Sequence, residues 1–419
     1  MGPNSTGWRG RGAMALSLPI NLGVLLFLPG FAFYMFDVTS LAAGSTVAAS
    51  LFLLCYTLGL IGTPRSAGLT SAAAVAALVL AGILAHLVIA ITLGGEGDIP
   101  RALQSCVPLA MFLLAARVIA TQLPSYSDDV IDRAMYLLCG LFVVSALFST
   151  LGIQPESPRG ILAKSVFPFT EPSHYAFSAI IPILYCSLRS RLPLRIAILA
   201  TFLAIGYELQ SLSLVVGVFM TAVVTMPLFW LVAGILIVIP VAYSLDLAYF
   251  ADRLDFSAAA TNISSLIYIQ GWELARDSFS KSAAWGIGFQ QLGTGTITSA
   301  AANLLHRLLN EDSNIYDGGL TAAKYISEFG IFGLIFVAAI LYYAARCASF
   351  LRFRANSRSI AGYEILFYSS VIGYLLELFV RGAGYFTASG LLCLSALEYL
   401  ARADRAKRTG ATCSSAGSD

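Results

Sequence analysis

The sequence predicts an all-α integral membrane protein with about twelve transmembrane helices, one broken helix pair and a large, partly helical outer loop. Hydrophobic residues make up 58% of the 419 residues and charged residues only 11%. The mean hydropathy is +0.79. Apolar runs of about 20 residues, the length a helix needs to cross the hydrocarbon core of a bilayer, recur along the chain. This composition excludes a soluble globular protein.

The apolar runs define the predicted spans. Ten are clear, near residues 17–36, 41–62, 70–93, 103–121, 134–152, 174–188, 227–245, 328–347, 361–381 and 385–401. The stretch 195–226 is too long for one ordinary span and short for two. It contains the polar break GYELQSLSL, with Glu208 and Gln210. Such a break is either an exposed turn or a wall of an outward-facing cavity, because polar backbone is not tolerated against lipid.

The positive-inside rule decides between one crossing and two at 195–226. Two short helices, near 195–208 and 211–226, leave 16 of the 25 Lys and Arg residues on the inner side and 9 outside. We therefore expect cytoplasmic tails at 1–16 and 403–419, with a membrane domain at 17–402. The seven cysteines form no pair in an outer loop, and we expect no structural disulfide, metal cluster, cofactor or nucleic-acid partner.

Two outer loops, at about 153–173 and 246–327, carry most of the outer cations. These are Arg159, Lys164, Arg253, Arg276, Lys281, Arg307 and Lys324, and Arg381 lies at the outer end of a later span. Guanidinium and ammonium groups bind phosphate oxygens, so an anionic ligand explains their enrichment. The alternative is that long translocated loops carry charge regardless.

The segment EPSHYA, 171–176, places Glu171 and His174 where a polar loop meets an apolar helix. Ionisable side chains at such a boundary are expensive and often functional. The structural alternative is a good helix start, with Pro172 in the first turn and Ser173 as the cap.

Three stretches together resemble the Wzy-type polysaccharide polymerases, which are related to the O-antigen ligases. They are FTEPSHYAFSAI at 169–180, ELQSLSLVVG at 208–217, and an outer loop containing YIQGWELAR, GIGFQQLG and DGGLTAAKYISEFGIFGL. The resemblance spans roughly residues 130–400. It implies a bacterial inner-membrane glycosyltransferase that polymerises undecaprenyl-diphosphate-linked oligosaccharides at the periplasmic face, without a nucleotide sugar.

Such chemistry needs a base for the acceptor hydroxyl and cations for the departing diphosphate. Candidate catalytic residues are Glu171, His174 and Glu273. Candidate substrate-binding residues are Arg159, Lys164, Glu208, Gln210, Arg253, Gln270, Arg276, Asp317, Lys324 and Arg381. Ion pairs of Glu273 with Arg276, and of Glu377 with Arg381, are the structural alternatives.

Two other functions compete with the polymerase. An O-antigen ligase would pass the same donor to another acceptor, and a lipid-linked oligosaccharide flippase would move it across the bilayer. Broken helices also occur in transporters, but here the charges collect outside the spans. Besides the oligosaccharide and the lipid bilayer, candidate partners of the polymerase are a chain-length regulator and a flippase.

Overall fold

The computed structural model describes residues 7–36, 41–59, 66–94, 97–157, 165–244, 248–256, 262–295, 299–310, 314–354 and 360–415. These residues are mostly α-helical. The helices are α1 Gly7–Met35, α2 Leu41–Thr57, α3 Ser66–Gly94, α4 Ile99–Gln122, α5 Asp128–Thr150, α6 Pro172–Arg189, α7 Leu192–Glu208, α8 Leu212–Thr225, α9 Leu228–Ser244, α10 Ala248–Arg253, α11 Ile263–Lys281, α12 Ala300–Leu309, α13 Thr321–Arg354, α14 Gly362–Gly373, α15 Leu375–Phe379 and α16 Ala388–Ser415.

Within the described ranges, five helical segments are long and apolar enough to cross a membrane. They are Ser17–Met35, Thr70–Leu93, Ile99–Ser125, Asp128–Thr150 and Thr321–Phe353. The two apolar helices α2 and α8 are shorter. Length and composition thus give an all-α membrane protein, while the twelve crossings and their orientation stay predictions. Helix extends into both predicted tails, since α1 begins at Gly7 and α16 continues to Ser415.

Helix α6 is the centre of the bundle. Every residue from Tyr175 to Leu188 is buried, and α5, α8 and α14 pack around it. A helix that is apolar on all sides belongs in a core rather than at a surface. The Tyr175 hydroxyl donates to the carbonyl of Phe142 in α5 at 2.8 Å. The start of α6, which carries Glu171 and His174, is therefore held in a fixed position.

The predicted helix break lies between α7 and α8, at residues 209–211. Gln210 has a positive φ of 50°, and the Ser211 hydroxyl caps α8 by accepting from the Leu214 N–H at 3.3 Å. The same hydroxyl donates to the Pro172 carbonyl at 3.3 Å. The break is consequently packed against the start of α6, whereas Glu208 is exposed.

The large loop 246–327 is partly helical, as predicted. Asn262 caps α11 by accepting from the Ser264 N–H at 2.9 Å. Helix α11 packs on α12 and on α13, and α13 begins at Thr321, before the predicted span. A kink at Gly330, where φ is 55°, divides α13. The Ile331 N–H beside this kink donates to the carbonyl of Ala284 at 2.8 Å.

Ion pairs join helix ends at the predicted cytoplasmic side. Arg189 at the end of α6 lies 2.9 Å from Asp128 and 3.0 Å from Asp132 in α5. Arg346 of α13 pairs with Asp404 of α16 at 2.6 Å. The Arg189 pairs join the consecutive helices α5 and α6, and the Arg346 pair joins α13 to α16.

Candidate functional site

A cavity of about 1470 Å³ lies beside the start of α6. Its wall is formed by α2, the first turns of α4, the start of α6, the 290–294 loop, the 314–324 segment and the 381–386 loop. Five of the predicted site residues line it: Glu171, His174, Asp317, Lys324 and Arg381. Segments that are far apart in the sequence thus meet in one cavity.

Glu171 is the N-cap residue of α6, with Pro172 in the first turn. Its carboxylate accepts a hydrogen bond from the Ser173 hydroxyl at 2.9 Å. The sequence offers Ser173 as the cap, but its hydroxyl donates to the Glu171 carboxylate instead of capping the helix. Arg381 Nη2 lies 3.7 Å from Glu171 Oε2, and the Glu171 side chain is 47% exposed because it faces the cavity.

The surroundings of Glu171 favour its charged form. Partial enclosure by protein raises the pKa of this carboxyl, but His174, Arg381, the Ser173 hydroxyl and Arg253 lower it to about 2. Glu171 is therefore ionised at neutral pH. His174 lines the same cavity, and its Nδ1 lies 3.3 Å from the Thr170 hydroxyl.

Arg381 is positioned by the loop that follows α15. Its own N–H donates to the Leu376 carbonyl at 3.0 Å, and the N–H of Gly382 donates to the Gly319 carbonyl at 2.7 Å. The predicted ion pair with Glu377 is wrong. Glu377 instead accepts hydrogen bonds from the hydroxyls of two residues that begin α16, which leaves Arg381 to face Glu171.

Lys324 and Glu328 form a buried pair one helical turn apart in α13. Their side chains are 1% and 0% exposed, and Nζ lies 3.6 Å from the carboxylate. Lys324 Nζ also lies 3.6 Å from Asp317 and donates to the Tyr316 carbonyl. The Glu328 carboxylate accepts from the Gln290 N–H at 2.7 Å. The pair therefore holds the 290–294 loop and the 314–324 segment of the cavity wall in place.

The glycine-rich loop GIGFQQLG is held on α13. The Ile287 N–H donates to the Ser327 carbonyl at 3.0 Å, and the Gly288 N–H donates to the Glu328 carbonyl at 2.8 Å. Tyr385 donates its hydroxyl to the Glu328 carboxylate at 2.7 Å. Two of the segments that carry the sequence resemblance thus form one hydrogen-bonded unit.

Arg253 lies near the cavity but is not part of its lining. Its guanidinium stacks on the Tyr249 ring at 4.5 Å. Burial lowers the pKa of this guanidinium; Arg381 acts in the same direction, and Glu171 opposes them. The Glu171 carboxylate therefore interacts electrostatically with both Arg253 and Arg381, which lie on two different segments.

Other predicted site residues lie away from the cavity. Glu273 accepts a hydrogen bond from the Ala301 N–H at 3.0 Å and so stabilises the start of α12. Arg276 is exposed on α11, whereas Gln270 is buried there. Arg159 and Lys164 lie outside the described residues. For these residues, and for Glu208 and Gln210, a role in binding or catalysis stays a prediction.

Sequence reasoning missed the contribution of α4. Asp98 caps this helix and accepts from the Arg101 N–H at 3.0 Å. The Arg101 guanidinium lies over the Tyr316 ring at 4.3 Å and donates to the Leu292 carbonyl at 3.2 Å. Both residues line the cavity. The polar stretch GEGDIPR before an apolar run was the available signal.

The cavity combines charged side chains with an apolar side. Three carboxylates, three cations and one imidazole line it, and α2 adds apolar side chains such as Leu41 and Val47. Such a site suits a ligand that has a charged, hydroxyl-rich part and an apolar part. The chain has no match among known family models, curated proteins or solved structures.

Proposed function

We propose that this protein is a membrane glycosyltransferase that polymerises undecaprenyl-diphosphate-linked oligosaccharide units at the periplasmic face of a bacterial inner membrane. The observation that carries the proposal is the Arg381–Glu171 contact on the wall of a large cavity. Arginine is the side chain best suited to a diphosphate. The resemblance of the EPSHYA segment and the outer loop to Wzy-type polymerases supplies the reaction class.

The reaction joins two lipid-linked units. A hydroxyl oxygen of the acceptor forms a bond to the anomeric carbon of the donor, and the bond from that carbon to the diphosphate oxygen breaks. Undecaprenyl diphosphate leaves with the electron pair, and the acceptor hydroxyl gives up its proton. The cavity therefore has to stabilise a diphosphate and accept one proton.

Arg381 is the proposed diphosphate ligand. In the free protein its charge is balanced by Glu171, and diphosphate oxygens would replace that carboxylate as its partner. Arg253, held near the same charge, is the second proposed ligand. Lys324 already contacts two carboxylates and a carbonyl. We therefore propose that it maintains the shape of the cavity wall and does not bind the leaving group.

His174 is the proposed proton acceptor. A carboxyl with a pKa of about 2 is a weak base at neutral pH. Glu171 is accordingly proposed to orient His174 and Arg381, not to remove the proton itself. His174 lines the same cavity wall, and a neutral imidazole has a ring nitrogen that can accept a proton.

The test is purified protein in liposomes, supplied with a lipid-linked repeat unit and no nucleotide sugar. We expect a ladder of longer lipid-linked products and stoichiometric release of undecaprenyl diphosphate. Arg381→Gln should abolish both, whereas Arg307→Gln, at an exposed position of α12, should leave them intact. Release of diphosphate only with a separate acceptor would identify a ligase. Movement of the donor without release would identify a transporter.

A further inference from the structure

A second, much smaller pocket lies within the bundle, behind the start of α6. Its volume is about 20 Å³, enough for roughly one water-sized occupant. Polar side chains from four segments line it: Ser45, His174, Ser178, Glu377, Thr387 and Ser389. The other lining residues, such as Pro29 and Phe177, are apolar.

Among the described residues, Glu377 is the one carboxylate that lines this pocket. Its side chain is 0% exposed, and it lies in α15, within a predicted span. Thr387 donates its hydroxyl to Glu377 Oε2 at 2.7 Å, and the Ser389 hydroxyl donates to Oε1. Hydroxyl groups stabilise a carboxylate but do not neutralise it. An uncompensated charge in an apolar interior is strongly unfavourable.

The Ser45 hydroxyl of α2 is a second, independent indication that this pocket binds a ligand. The residue is 2% exposed, and its buried hydroxyl oxygen has no hydrogen-bond partner among the residues that the structure describes. Buried hydroxyls in proteins are generally satisfied, so this one requires an explanation. A bound ion or molecule in the pocket would provide it.

We propose that this pocket is a binding site for a small monovalent cation, Na⁺ or Li⁺, with Glu377 as the charged ligand. Carboxylate and hydroxyl oxygens are the donors that hard cations prefer. One carboxylate neutralises one monovalent charge, whereas a divalent ion would leave a net buried charge. The small volume favours Na⁺ over the larger K⁺.

The site lies where the chain leaves helical structure. Residues 380–387, between α15 and α16, are not helical, and Thr387 and Ser389 flank the start of α16. In secondary transporters, Na⁺ sites are formed at interrupted helices. His174 lines both this pocket and the large cavity, so an ion here would contact the wall of that cavity.

The test is the melting temperature of the purified full chain in detergent, titrated with NaCl, KCl or choline chloride at constant ionic strength. We expect a saturable rise of at least about 2 °C that is specific to Na⁺ and Li⁺. Glu377→Gln should abolish it, and Ser45→Ala should shift it to higher Na⁺ concentration. Glu364→Gln, in the neighbouring α14 outside the pocket, should leave it unchanged.

Direct binding of radioactive ²²Na⁺ to the wild-type protein gives a second readout that needs no variant to fold. Binding near one ion per chain, competed by Li⁺ and not by K⁺, supports the proposal. Equal melting temperatures in all three salts, together with no bound ²²Na⁺, would overturn it and leave a protonated Glu377 with a water in the pocket. Neither measurement depends on glycosyltransferase activity.

Discussion

Arg381 Nη2 lies 3.7 Å from Glu171 Oε2, so the loop after α15 is joined electrostatically to the start of the central helix α6. The two residues are partly exposed to the same cavity. A contact of this length at an accessible site is weaker than a buried, hydrogen-bonded ion pair. It can therefore be exchanged for a stronger anionic partner.

Separate roles for these two residues predict different effects of neutralising them. Arg381→Gln should lower kcat at least about 100-fold, because a charge-stabilising donor is lost from the transition state. Glu171→Gln should lower it less than about tenfold, since Arg381 and His174 remain. Diphosphate release from a lipid-linked donor measures both. A Glu171→Gln variant as inactive as Arg381→Gln would make Glu171 the base.

The pKa of Glu171 predicts how stability depends on acid. Because its folded-state pKa of about 2 is below the ordinary value of 4.5, its contribution is complete above pH 4.5 and is lost as the pH falls toward 2. The melting temperature should fall over this window, and Glu171→Gln should reduce the fall. Arg381→Gln should narrow the window from its acid end, because the substitution raises the folded-state pKa of Glu171 toward its ordinary value. A wild-type curve unchanged by either substitution would contradict this account.

The same pKa makes a prediction for activity. Glu171 keeps its charge throughout pH 5 to 9, so it should contribute no acid limb to kcat/KM in that range. An acid limb found there should disappear in His174→Gln, which cannot titrate. Persistence of the limb in that variant would assign it to another group and remove His174 as the base.

Part of this fold could be predicted from the sequence. The break near Gln210 was predicted from a polar stretch inside a long apolar run and from the charge count. Residue types and positions predicted Glu171, His174 and Lys324 as site residues; the three line one cavity, and their roles stay predictions. In each case the deciding information is local, or it is a count over whole segments.

The other features of the fold and of the cavity depend on contacts between segments that are distant in the sequence. Sequence spacing favoured Glu377 as the partner of Arg381, but the chain leaves the helix after Phe379 and brings Thr387 and Ser389 to that carboxylate. Arg101 belongs to the cavity because it reaches Tyr316, more than 200 residues away. No local pattern contains that information.

Two helical glycines offer a matched test of how the 246–327 segment packs. A Cβ on Gly271 in α11 would lie far inside van der Waals contact with the Gly318 carbonyl, whereas nothing lies within 4 Å of a Cβ on Gly140 in α5. Gly271→Ala should destabilise the fold by about 1–3 kcal/mol through overpacking. Gly140→Ala should be neutral or slightly stabilising. Equal melting temperatures of the two variants would show that α11 does not rest on the 318 turn.

The Lys324–Glu328 pair predicts strong coupling between two substitutions. Lys324→Met leaves Glu328 as an uncompensated buried charge, which should destabilise the protein by about 3–5 kcal/mol. Glu328→Leu should cost less, because Lys324 Nζ keeps the Asp317 carboxylate at 3.6 Å. The double variant removes both charges and should recover much of that loss, although the Gln290 N–H and the Tyr385 hydroxyl then lose their carboxylate acceptor. Melting temperatures of the four proteins form a double-mutant cycle. Additive losses would mean that the two charges do not compensate each other, and the account of the cavity wall as a neutral buried pair would fail.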